Sequence, residues 1–321
     1  MKLDDNKLTP SAAGAGAGTG AEAVPDAALY ADEDADAELL DDDGIFDHLK
    51  SMLRKNKLAA FSLLVILIFA GAAALAPLIA PYNPNTPVLS ERFAPPSLAH
   101  WLGCDELGRD AFSRLLYGTR VSMMIGLVPT TISMVFGTLL GLFAGYYGGK
   151  VDFTIMRFAD IVLAFPSLLL AMVVMYTLGG SLMNIFIALS IVKWAGTARV
   201  IRAQTMSLKE KEFVEAARSM GVKRWVIMFR HILPNCIPNL IVLFTLNIPE
   251  SILSESSLSF LGIGAQPPST SWGLMVYRSK SYLFSQPWLA IAPGVVILIF
   301  VLAFNFLGDG VRDAMDPYLK D

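Results

Sequence analysis

The residues best suited to chemistry in this chain are suited to making contacts rather than making bonds. Glu215-Ala216-Ala217-Arg218-Ser219-Met220-Gly221, followed by His231-Ile232-Leu233-Pro234, forms a polar, helix-competent insert between two long apolar segments. Ser207 with Glu210 three residues on has the capping-box pattern that starts a helix. Gly221 suits the position just past a helix C-terminus, where the backbone turns left-handed. Between them Phe213, Ala216, Ala217 and Met220 recur at i, i+3, i+4 and i+7, which is one apolar stripe. A second short helix is expected from Lys223 to about His231, ending before Pro234. Two short helices at an angle, with small side chains outward, can lie on lipid headgroups or fill a cleft on a partner. The residues alone leave both readings open.

Three ionisable side chains form a second set. Lys193, Glu250 and Glu255 fall within apolar stretches, where charge is costly and must face a cavity, a partner or the interface. Glu255 can line a path for a zwitterionic solute, or Lys193 can be its helix-to-helix partner. Asp160 and Arg157 lie near a helix end and are expected to anchor it.

The sequence offers little that an enzyme would use. Cys104 and Cys236 fall in different expected compartments, and His48, His100 and His231 are scattered, so neither a disulfide nor a metal site is expected. A phosphate-binding loop needs Gly, four residues, then Gly-Lys-Ser/Thr. The nearest candidate, Gly149-Lys150, has Ala144 where the first glycine belongs and Val151 where the hydroxyl belongs. The chain is therefore expected to be non-catalytic, with no cofactor of its own. A nucleic-acid partner is not expected either.

The elements that hold these groups are set by composition. With 54% hydrophobic residues and a mean hydropathy of +0.54, the chain is too apolar for a soluble domain of 321 residues. Six apolar segments stand out, near 58–79, 121–146, 155–178, 185–200, 236–263 and 289–307. Each approaches or exceeds the roughly 20 residues needed to cross a bilayer. In lipid an isolated segment satisfies its backbone only as a helix, so the fold is expected to be all-α. Gly126, Pro129, Gly137, Gly141, Pro166, Pro238 and Pro249 interrupt three of the segments and permit close contact or kinks.

The net charge of −3 sums two unlike regions. Residues 1–45 hold twelve acids and two bases, leaving 23 basic against 16 acidic residues in the rest, a net of +7. The Ala-, Gly- and Asp-rich stretch 1–45 is expected to be a disordered acidic tail, and 46–321 the membrane domain. Lys50, Arg54, Lys55 and Lys57 before the first segment place the N-terminus in the cytoplasm by the positive-inside rule. Six crossings return Arg312 and Lys320 to the same side, and the basic 199–230 region also falls inside. One loop conflicts: residues 81–120, expected outside, carry Arg92, Arg109, Arg114 and Arg120. An interfacial helix over Asp110–Tyr117, with Phe112, Leu115 and Leu116 on its apolar side, is expected there.

Glu-Ala-Ala, three residues, Gly, then a hydrophobic stretch ending in Leu-Pro resembles the cytoplasmic coupling loop of ATP-binding-cassette importer permeases. Glu215, Ala216, Ala217, Gly221, Leu233 and Pro234 match it; His231 stands where isoleucine is usual. Gly103-Cys104-Asp105-Glu106-Leu107-Gly108-Arg109-Asp110, Ser113-Arg114 and Tyr117–Ser122 are similar to the segment before the second helix of oligopeptide/dipeptide/nickel permeases of the C type. There Cys104 replaces the usual threonine. Leu253-Ser254-Glu255, Leu258–Gly262 and Asn305–Asp313 are similar to the same family, so the resemblance spans about residues 46–320.

The resemblance implies a type I importer permease fold with the coupling loop at 207–234, in a bacterial cell membrane. It implies a homologous second permease, two ATPase subunits that carry the ATP and magnesium, and an external substrate-binding protein. The solute is expected to be a dipeptide or oligopeptide, with nickel chelates and opine-like compounds as alternatives in the same branch. An ion-driven secondary transporter is the rival class. It would call for inverted repeats and a self-sufficient ion site, and the sequence suggests neither.

Overall fold

The computed structural model describes residues 56–315. The acidic tail 1–45, the basic residues Lys50, Arg54 and Lys55, and Lys320 lie outside them. Helix α1 (Lys57–Ile79) opens on Asn56, whose side chain accepts from the N–H groups of Leu58 and Ala59 at 3.1 Å each. Its 23 residues span about 35 Å, enough to cross the hydrocarbon core.

Helix α2 (Ala111–Tyr147) begins at Asp110, which accepts from the Ser113 N–H. With 37 residues it reaches about 55 Å, well beyond a single bilayer crossing. The separate interfacial helix expected over Asp110–Tyr117 is instead the first two turns of α2. Ala111, Ser113, Arg114 and Gly118 are buried against protein there, while Phe112, Leu115 and Leu116, the expected apolar side, stay partly exposed.

The expected segment 155–178 is two helices, α3 (Gly149–Ala164) and α4 (Ser167–Leu178), bent by 91°. Pro166 disfavours helix at the residue before it, and Phe165 is extended at φ −92 and ψ 142. Helix α5 (Leu182–Leu208) runs past the expected end at 200, because Arg199 and Arg202 extend the helix while lowering its hydropathy. They pair with Asp160 and Asp152 of α3.

A short helix α6 (Glu212–Ser219) leads to α7 (Arg224–Phe260), which begins twelve residues before the expected segment. The expected helix end before Pro234 is not there. Residues Ile227–Ile232 widen into a π-helical stretch, and the chain continues through Pro234. A mid-helix proline lacks an N–H and crowds the carbonyl four residues back, and a wider turn relieves both. Helices α8 (Trp272–Ser279) and α9 (Trp288–Met315) complete the described chain. Five helices are long and apolar enough to cross a membrane, six spans if α3 and α4 count as one. Among the described residues the β pairing is a single bridge, Cys104 to Asp110.

The tightest seam joins α2 to α5. Gly137, Gly141 and Gly145 lie against the carbonyls of Trp194, Ala198 and Arg202, so two four-residue repeats face each other. A β-carbon on Gly141 would stand 2.5 Å from Ala198 O, closer than real side chains come. Small residues at this spacing let two backbones touch. A second core ties α1, α8 and α9 through Phe69, Trp272, Phe300 and Phe304, with ring centroids 4.8–5.8 Å apart between neighbours.

Candidate functional site

Helix α6 does not start with the expected capping box. Ser207 is the penultimate residue of α5, Glu210 lies in the turn after it, and Lys211 occupies the N-cap without a side-chain bond. Glu212 and Glu215 in the first turn instead meet the positive end of the helix, and Arg218 the negative end. The C-terminus is closed as the sequence suggests. Gly221 takes φ 74, Met220 N–H donates to Ala216 O at 3.0 Å, and Val222 N–H reaches back to Ala217 O at 3.1 Å.

The apolar stripe is rotated from expectation. Val214 and Ala217 are buried, in a cluster with Leu142 of α2, Ile201 of α5, and Ile227, Met228, Ile232 and Cys236 of α7. Leu233 packs at its margin, and Pro234 is exposed. Ala217 therefore fixes α6 to its own subunit. The outward surface carries Glu212, Phe213, Glu215, Ala216 and Met220, with Trp225 exposed beyond the turn. Phe213 in α6, Met220 at its C-cap and Trp225 at the start of α7 are 41%, 76% and 61% exposed, an apolar set along this short segment. Beside it a cleft of about 440 Å³ is lined by Tyr146, Tyr147, Arg218, Gly221, Val222, Arg224 and Ile227. Because Leu142 and Tyr146 belong to the last turns of α2, α6 sits at the C-terminal end of that helix.

The membrane-depth charges do not pair as expected. Lys193 Nζ lies 3.3 Å from Glu250 Oε2 and donates to Asn247 O at 3.2 Å, so its partner is Glu250 and not Glu255. The Lys193 side chain is 8% exposed and that of Glu250 59%, so the pair opens onto the surface of this chain. Glu255 is fully buried. Its Oε1 accepts from Ser259 Oγ at 2.6 Å and Ser271 Oγ at 2.7 Å. Oε2 has no hydrogen-bond partner among the described residues, and Gly273 leaves it just enough room. Ser271 caps α8, so Glu255 joins α7 to α8 at the seam between them. Asp160 pairs with Arg199 at 2.8 Å, whereas Arg157 lies over the Phe153 ring on its own helix.

A polar knot between α1 and α2 was not anticipated. Asp105 accepts from Arg109 Nε at 2.8 Å and from the Leu107 and Arg109 N–H groups, and pairs with Arg114 at 3.3 Å. Arg114 also donates to Pro84 O, while Glu106 binds Arg278 of α8 at 2.8 Å. Four arginines in a loop expected outside were the available signal. The structure accounts for two of them, because Arg109 and Arg114 are buried among carboxylates rather than displayed to lipid. In the same knot burial pushes the Cys104 thiol up to about 11, helped by the negative charges of Glu91, Asp110 and Asp105.

Comparison with known proteins follows the same geometry. Residues 137–321 match the family described as binding-protein-dependent transport system inner membrane component, and residues 51–96 the N-terminal TM domain of oligopeptide transport permease C. The chain is 45% identical to the dipeptide transport system permease protein DppC of Alkalihalophilus pseudofirmus, over 84% of this chain and 88% of that one. It is 44% identical to the glutathione transport system permease protein GsiD of Pectobacterium atrosepticum, over 84% and 90%. For the probable D,D-dipeptide transport system permease protein DdpC of Escherichia coli the figures are 41%, 83% and 89%. An inward-facing structure of the MetNI methionine ABC transporter shares the fold, with a TM-score of 0.54 at 18% identity over 64% of this chain and 97% of that one.

Proposed function

The chain belongs to the family of binding-protein-dependent transport system inner membrane components, and from that membership we propose how it works. It is a multi-pass permease subunit of an ATP-driven importer, C-type within the oligopeptide branch. A homologous second permease would complete the pore, and an external binding protein would deliver the solute. Two ATPase subunits would bind the ATP and magnesium, leaving this chain without catalysis or cofactor of its own. Relatives named for dipeptides and glutathione favour a short peptide as the solute.

The observation that carries the reading is the outward face of α6. Glu215, Ala216, Phe213 and Met220 form a small protruding surface, seated on three spans through Val214 and Ala217. We assign Glu215 and Ala216 to contact with an ATPase cleft, Ala217 and Leu233 to seating, Gly221 to the turn that sets the angle, and Pro234 to the π-helical joint within α7. On this assignment α6 and both chain termini are cytoplasmic. Closure of the ATPases on ATP moves their clefts, α6 follows, and the spans switch between outward and inward access. Such coupling requires contacts that differ between the two states. Lys193 and Glu250, whose pair opens to the chain surface, are the better candidates for the path, with Glu255 holding α7 to α8.

Reconstitution of the four-subunit complex in liposomes tests this. Uptake of a labelled dipeptide should need both ATP and the binding protein. Uptake driven by a proton or sodium gradient without ATP would overturn it.

A further inference from the structure

Between α1 and α2 the chain folds so that Glu91, His100 and Cys104 converge. One carboxylate oxygen, one imidazole nitrogen and the sulfur lie within 4.8 Å of one another, with His100 and Cys104 buried. The sequence reading, which looked for cysteine and histidine clusters, expected no metal here. The third donor is a carboxylate nine residues before the histidine.

The hydrogen bonds decide how the imidazole is used. His100 Nδ1 lies 2.9 Å from Asp110 Oδ1, and Asp110 is itself fixed by accepting from Ser113 N–H at 2.7 Å. An ionised carboxylate only accepts, so Nδ1 carries the proton. In the neutral imidazole Nε2 then presents its lone pair, and it faces Glu91 Oε2 at 3.4 Å. Either a second ring proton or a bound cation satisfies that contact. A proton would serve for the pair alone, but the Cys104 sulfur beside them supplies a third, softer donor. A histidine whose other nitrogen donates to a carboxylate is the usual arrangement at metal centres.

The backbone holds the donors in place. Gly103 N–H donates to His100 O at 2.9 Å, and Cys104 N–H to Ala94 O at 2.9 Å. In a tetrahedral site with bonds of about 2.0 Å to nitrogen or oxygen and 2.3 Å to sulfur, ligand atoms stand about 3.3–3.6 Å apart. The Glu91–His100 separation of 3.4 Å already matches, and since all three donor atoms lie within 4.8 Å of one another, closing the cluster around an ion needs shifts of at most about 1.5 Å.

We propose that Glu91, His100 and Cys104 bind a divalent transition-metal ion of the zinc class, with Asp110 orienting the imidazole. Thiolate and carboxylate neutralise the ion, and the thiol proton is released to solvent. Magnesium and calcium, which prefer oxygen, are poor fits to a sulfur and nitrogen donor set. The fourth position falls to water or to a donor on a solute. The ion would clip the turn Leu89–Glu91 to the segment that enters α2.

Cobalt titration of the intact complex, purified through a tag without histidine, tests the site. The wild type should bind one Co²⁺ per chain of this subunit with a thiolate-to-cobalt absorption band that Zn²⁺ abolishes. Cys104→Ser should lose the band, Glu91→Gln should weaken binding at least tenfold, and Cys236→Ser should change nothing. Each variant is first shown to be monodisperse with its partner subunits. Absence of a saturable band in the monodisperse wild type would reduce the Glu91–His100 contact to a proton-bridged ion pair and end the proposal. A band that survives Cys104→Ser would also end it, by placing the metal elsewhere.

Discussion

Gly221 and Ala216 separate two ways of disabling α6. The helix has eight residues, about 12 Å, too short to persist in water by itself. Its attachment rests largely on Val214, whose burial contributes about 2 kcal/mol. Gly221 holds φ 74, and an added β-carbon would meet no atom within 4 Å, so substitution costs backbone strain alone. That strain is about 1–2 kcal/mol for an L-residue, comparable with the Val214 contribution. Gly221→Val should therefore lower the equilibrium constant for a correctly seated α6 about 5–30-fold. Ala216→Trp acts differently, because Ala216 is on the exposed face and the indole would burden only a partner. Substrate-stimulated ATP hydrolysis and uptake should fall together, at least tenfold for Ala216→Trp, with the melting temperature of the isolated subunit unchanged. For Gly221→Val the fall should be partial. Ala217→Trp is not an equivalent probe, since it would overpack the subunit's own core. Normal transport by Ala216→Trp with normal co-purification of the ATPases would show that this face does not dock.

Gly141→Leu should destabilise the subunit by about 1–3 kcal/mol or more in thermal melts, because α2 and α5 must part. Gly71→Leu, where an added β-carbon meets nothing, should not. Glu255→Gln should keep near-normal stability by still accepting from Ser259 and Ser271. Glu255→Ala should cost about 2–4 kcal/mol by leaving two buried hydroxyls without an acceptor and opening a cavity; equal melting temperatures would exclude the seam role. A cysteine at exposed Lys211 should react with impermeant thiol reagents only from the cytoplasm, with Cys104 and Cys236 both buried and silent. Labelling from outside sealed cells would invert the orientation.

The membrane class and the existence of each long helix were legible because hydropathy reports transfer into lipid directly. Helix ends were not, and the errors share a cause. Arg199 and Arg202 lower local hydropathy while extending α5, since Asp160 and Asp152 on α3 receive them. Pro234 reads as a stop, yet a π-helical stretch before it lets α7 pass through. Pro166, treated only as a possible kink, is a 91° corner. At the site, Gly221 was readable from its freedom of backbone conformation. The rotation of α6 was not, because Phe213 and Met220 are as apolar as Val214, and only the shape of the groove on α2, α5 and α7 chooses between them. The Lys193–Glu250 pair was missed for a similar reason: helix rotation decides which carboxylate meets the lysine.

Where α6 is seated bears on how a small surface can move a large one. Val214 and Ala217 belong to one packed cluster with residues of α2, α5 and α7, so a displacement of α6 would pass into a core that three spans share. Packed interiors transmit such displacement because they lack voids to absorb it. Both chain neighbours of α6 are joined to it by short turns, α5 through residues 209–211 and, past the turn at Gly221, α7. Of the three spans α7 is the most jointed, with the π-helical stretch at Ile227–Ile232 and prolines at 238 and 249. Pro249 precedes Glu250, the carboxylate that reaches Lys193 on α5, and it comes before Glu255, which is bonded to Ser271 of α8. A bend at Pro249 would thus re-aim Glu250 against Lys193 while the far third of α7 stays fixed to α8. The same helix carries the docking load at one end, a joint at the charge pair, and an anchored seam beyond it.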